Sequence, residues 1–95
     1  MKLYMVAFDL HNARNYELLY QFFTLMRAVR VLDSTWLLRS TADAGALMNA
    51  MRRYSDRDDA FAVVEIVPGA DWATAHVPPA PVLLLRHSDA MLAIA

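Results

Sequence analysis

The chain contains no cysteine, so no disulfide braces it and no thiolate zinc site can form. Its only two glycines, Gly45 and Gly69, stand far apart, which removes the Gly-rich phosphate loops of nucleotide-binding folds. A G-x-S-x-G nucleophile elbow is missing as well. No apolar run approaches the ~20 residues of a membrane-spanning helix. The opening MKLYMVAFDL also places an acid where a secretory signal would still be hydrophobic. These absences lead us to expect a cytoplasmic protein without a membrane partner. A net charge of −1 means that no bulk field draws nucleic acid to the chain. The cations are one lysine and eight arginines. Arginine forks onto phosphates and carboxylates, although a GC-rich coding sequence produces the same bias.

What the chain has in excess is apolar surface. Of its 95 residues, 58% are hydrophobic, yet a domain of this size buries only roughly 60 to 65% of the surface its unfolded chain exposes. The surplus points to a homodimer or larger homo-oligomer, because a second copy is the simplest cover for it.

Hydrophobic periodicity divides the chain into short elements. Residues 3 to 10, LYMVAFDL, form a nearly uniform apolar run that reads as a central strand. A turn-like HNARN follows, in which Asn12 or Asn15 is placed to cap a helix. From 16 to 26, Leu18, Leu19, Phe22, Phe23, Leu25 and Met26 recur at helical spacing. The period then becomes that of strands over residues 28 to 40, broken at Asp33 and Ser34 into a strand pair or one kinked strand. Ser40 or Thr41 is positioned to cap a second helix with the stripe Ala44, Leu47, Met48 and Met51. Residues 60 to 67, AFAVVEIV, read as a last strand closed by Pro68 and Gly69. The order is βαββαβ, an α+β ferredoxin-like sandwich over residues 1 to 69. In the remainder, 70 to 95, Pro78, Pro79 and Pro81 read as an extended connector. PVLLLR then reads as an extra C-terminal strand suited to pairing with a neighbouring subunit.

Chemistry is sparse. Asp9 ends the first strand and His11 lies two positions on, so both face one way if the strand continues. A carboxylate with waters suits Mg²⁺, and carboxylate with imidazole suits a transition ion. In a two-fold dimer an Asp near the axis meets its own copy. Equally, Asp9 can simply accept hydrogen bonds from the turn that follows. Arg27, Arg30 and Arg39 gather around the first helix-to-strand junction, where together with Arg14 they could neutralise phosphates. Asp56, Asp58 and Asp59 read as a solvated turn, and His76 and His87 as surface residues.

The combination of MVAFD at the first strand's end, VRVLDSTW across the strand pair and DDAFAVVEIVP opening the last strand resembles the small ferredoxin-like nuclease of CRISPR spacer acquisition and uncharacterised bacterial proteins related to it. The resemblance covers residues 3 to 68. It implies a homodimer in which each Asp9 lies near the two-fold axis and holds Mg²⁺ for phosphodiester cleavage of RNA or DNA, with His11 as ligand or proton carrier. Ser34 and Trp36 would flank the cleft or the dimer core. The family places more acid and base at the start of the first helix, where this chain has Arg14 with His11 and Asn12. Members of the family also act as DNA-binding scaffolds, so a non-catalytic dimeric module binding nucleic acid or protein stands beside the nuclease. So does the toxin of a toxin–antitoxin pair.

Overall fold

The computed structural model describes residues 1 to 11 and 16 to 94, with side chains to residue 87. Four strands alternate with two helices and a third helix follows: β1 (Lys2–Asp9), α1 (Glu17–Leu25), β2 (Val29–Leu32), β3 (Thr35–Ser40), α2 (Ala44–Arg52), β4 (Ala60–Ile66) and α3 (Pro79–Ile94). The strands form one antiparallel sheet in the order β2-β3-β1-β4. The order and pairing of these elements are compatible with a ferredoxin-like fold, with β1 central as its apolar run requires.

Alternation along β1 assigns its side chains to two layers. Tyr4, Val6 and Phe8 turn toward α1 and α2, where they are buried with Leu19, Phe23, Leu38, Leu47 and Met51. Phe23 is the centre of this layer, stacking on Trp36 with ring centroids 4.8 Å apart and on Phe8 at 5.9 Å. The Tyr4 hydroxyl donates to the Ala42 carbonyl at 2.8 Å, so burying this phenol leaves no orphaned polar atom. The Trp36 indole N–H is the exception, buried with no hydrogen-bond partner among the described residues.

The helix ends follow local chemistry. α1 stops in a Schellman arrangement, with Ala28 N–H donating to Phe23 O at 2.9 Å and Arg27 N–H to Thr24 O at 3.0 Å. The left-handed position of that motif is occupied by Arg27 at φ 55°, where glycine is the usual residue. α2 is capped by Asp43, whose carboxylate accepts from Ala46 N–H at 2.8 Å. The cap is thus neither Ser40 nor Thr41, and Ser40 instead accepts from Ala42 N–H. The positions proposed to cap α1, Asn12 and Asn15, lie outside the described residues, and its N-cap is Tyr16. Asp33 and Ser34 form the two-residue turn of a β2–β3 hairpin, with a bulge between Arg30 and Leu32.

The extra C-terminal strand does not form: residues 79 to 94 are helix α3. Its prolines explain why. Pro79 and Pro81 occupy the first helical turn, where amide N–H groups have no intrahelical acceptor and a missing donor costs little. The leucine run then continues as helix and returns to its own sheet, where Leu85 is buried with Leu3 and Leu37 and flanked by Trp72, Val29, Val31 and Ile66. This second, smaller cluster lies on the sheet face opposite α1 and α2.

Candidate functional site

Asp9 belongs to that second face. Counting back along β1, Asp9, Ala7, Met5 and Leu3 share it, and register sets Ala7 beside Thr35 and Ala62, and Asp9 beside Ala60. The second cluster covers only the Leu3 end and the β2 side of this face. Toward β4 the face is open and apolar, with Met5 36% and Val64 52% exposed. These two residues are cross-strand partners. Asp9 itself is exposed and lines a shallow groove with Ser34, Thr35, Ala60 and Ala62. The β2–β3 turn is held against β1 by Phe8 N–H donating to Ser34 O at 3.0 Å. One carboxylate beside two hydroxyl-bearing residues is an all-oxygen set of the kind a hard cation such as Mg²⁺ accepts, completed by water.

His11 is not brought to that groove. β1 ends at Asp9, and the His11 backbone N–H donates to the Asp59 carboxylate at 2.9 Å. The same carboxylate accepts from the Tyr16 hydroxyl at 3.1 Å and from Asp56 N–H at 2.7 Å. In return Asp59 N–H donates to Asp56 O, closing a turn. Asp59 is therefore a clasp between the segment leaving β1 and the turn entering β4. Burial pushes its carboxyl pKa up, but the hydrogen bonds from His11, Asp56 and Tyr16 and the nearby His11 imidazole outweigh it and hold the group below its ordinary value. Sequence reasoning passed over Asp59 as one acid of a solvated cluster. Ligand oxygens of Asp56, Asp58 and Asp59 lie within 4.8 Å of one another and could hold a metal ion, although Asp59 already serves three donors.

Of the arginines expected to meet nucleic acid, Arg30 lies apart from Arg27 and Arg39. Arg30 lies on the helix face of β2, its guanidinium carbon 4.8 Å from the Trp36 ring centroid and 5.5 Å from that of Tyr20, a cation–π arrangement. Arg39 is half-buried on the opposite face and lines a cleft together with Arg27. Arg14 lies outside the described residues. Of Ser34 and Trp36, only Ser34 adjoins Asp9, because Trp36 turns into the helix layer. No helix is long and apolar enough to cross a membrane among the described residues.

The class these observations define is a small α+β chain with a four-stranded antiparallel sheet and one partly open sheet face that carries an acid. No family model matches the chain, and no curated protein or solved structure matches it.

Proposed function

We propose that the chain self-associates through the open half of its sheet and that the two Asp9 carboxylates of the pair hold Mg²⁺ for cleavage of nucleic-acid phosphodiesters. One observation carries this reading: Asp9 stands on the same face as the exposed, cross-strand apolar pair Met5 and Val64. Covering Met5, Ala7, Ala62 and Val64 with a second copy removes apolar surface from water at about 25 cal/mol per Å². A two-fold axis that runs along the strands through that patch would set the acids of both chains at the same end of the interface, supplying the second carboxylate that one groove lacks. Bound there, Mg²⁺ would supply a polarised phosphate oxygen and an activated water. The contribution of the chain is Asp9 as ligand, with Ser34 and Thr35 adjoining it. His11, turned to Asp59, is assigned to neither ligand nor proton transfer.

The test is Mg²⁺-dependent cleavage of single- and double-stranded RNA and DNA by parent and Asp9→Asn protein, with chelator controls and sedimentation of both. We expect a dimer in each case and loss of at least 100-fold in rate in the variant. A monomeric parent, or cleavage untouched by Asp9→Asn, defeats the reading. A second reading, a non-catalytic dimer that binds nucleic acid or protein, is favoured by the single carboxylate in the groove. Dimeric protein that cleaves none of the four substrates selects it.

A further inference from the structure

At the end of the sheet far from Asp9, α3 leaves a cleft between itself, the N-terminal end of β1 and the α1–β2 connection. Its volume is about 540 Å³, within the range of small-ligand sites. Met26, Val29 and Leu83 give it apolar walls, Arg27, Arg39 and His87 line it with titratable side chains, and no acid lines it among the described residues. In a chain with ten acids against nine lysines and arginines, a concave surface carrying charge of one sign only is a local departure. Neither arginine is paired with a carboxylate among the described residues.

Two features set these arginines apart from ordinary surface cations. Arg39 sits within β3 as the cross-strand partner of Leu3, half-buried at the end of the sheet face where Leu3, Leu37, Val29 and α3 pack together. A guanidinium loses hydration there and gains from any anion that reaches it. Arg27 holds φ 55°, a conformation that disfavours a side chain. Glycine would close the same Schellman turn without strain, so keeping Arg27 retains a charged fork at the mouth of the cleft at a cost to the backbone.

We propose that this cleft binds a small amphipathic carboxylate: a head that accepts from Arg27 and Arg39, and an alkyl body against Met26, Val29 and Leu83. Charge complementarity selects the head, since a neutral ligand would leave the arginines as they are. The apolar walls select the body, since a bare anion would bury none of them. The site is separate from the Asp9 groove and stands whether or not that groove holds a metal.

Isothermal titration of the full chain with hexanoate, octanoate and decanoate below their micellar concentrations, and with 1-octanol, tests it. We expect one site per chain, affinity rising about fourfold per added methylene, and 1-octanol at least tenfold weaker than octanoate. Arg39→Gln should weaken octanoate about tenfold or more. Should that variant fold poorly, Arg27→Gly provides the second arm, weakening octanoate while leaving the melting temperature equal or higher, because it relieves the left-handed residue. Equal binding of octanol and octanoate, no dependence on chain length, or parental affinity in Arg27→Gly overturns the proposal. So does displacement of octanoate by a short oligonucleotide, which would make the arginines a phosphate site. Conversion of a dimeric parent to monomer by Leu83→Asp overturns it too, because the cleft would then be a subunit contact.

Discussion

The two faces of the sheet contrast sharply. On one, strand side chains meet two helices, and Phe23, Leu19, Leu38, Val6 and Met51 are fully buried. On the other, α3 and Trp72 cover Leu3 and Leu37 while Met5 and Val64 remain in contact with solvent. The difference separates two jobs that a small chain must divide between few residues. The helix face supplies the burial that outweighs chain entropy, and the opposite face, only half closed, retains the acid, the cleft and the surface a partner can use. Truncating either cluster measures this directly. Phe23→Ala removes the ring that joins Phe8 to Trp36 and should cost about 3–5 kcal/mol of unfolding free energy. Leu85→Ala, in the three-residue cluster of the other face, should cost about 2–3 kcal/mol. Urea denaturation of both variants checks the order, and a larger loss for Leu85→Ala would show α3 to be the main brace of the fold.

Next in size is the clasp that joins the loop ends beside the open face. Asp59→Ala removes the acceptor for His11 N–H, Asp56 N–H and the Tyr16 hydroxyl, and should cost about 1–3 kcal/mol at neutral pH. The sign with pH follows from the direction of its shift. The folded pKa lies below the ordinary carboxylate value, so the charged form is favoured by folding. Its contribution is complete above the unfolded pKa of about 3.9 and is lost as pH falls through the folded value. The stability gap between parent and Asp59→Ala should therefore narrow below about pH 4. A gap that persists undiminished below about pH 3 would contradict the clasp.

How far these features were legible in the chain depends on the range of the interaction involved. The uniform apolar run of residues 3 to 10 and the helical spacing of Leu19 and Phe23 are local signals, and signals of this kind located β1, α1, the β2–β3 pair, α2 and β4 to within a few residues. PVLLLR carries no period, and a short apolar run does not distinguish strand from helix. Its prolines fit an extended spacer and a first helical turn equally well, so only packing against Leu3 and Leu37 decided for helix. His11 illustrates the other limit. Extending strand alternation from Asp9 put the two side chains on one face, but a hydrogen bond spanning 48 positions, from His11 to Asp59, draws the backbone away. The cleft beside α3 stayed hidden for the same reason, since Arg27 and Arg39 meet His87 only once the tail is a helix.

The smallest expected change in stability carries the most information about the open face. Val64 is 52% exposed on β4, a strand at the sheet edge whose one partner among the described residues is β1. Val64→Asp adds a charge that water solvates in the isolated chain, so unfolding free energy should move by no more than about 0.5 kcal/mol at a concentration where the chain is single. Within a dimer formed through this face, the same charge would be buried without a partner, at a cost of several kcal/mol per copy. Sedimentation across a hundredfold range of concentration should therefore show the parent associating and Val64→Asp remaining single. If both associate alike, the contact lies elsewhere, Asp9 has no reason to approach its copy, and the open half of the sheet is left for a different partner.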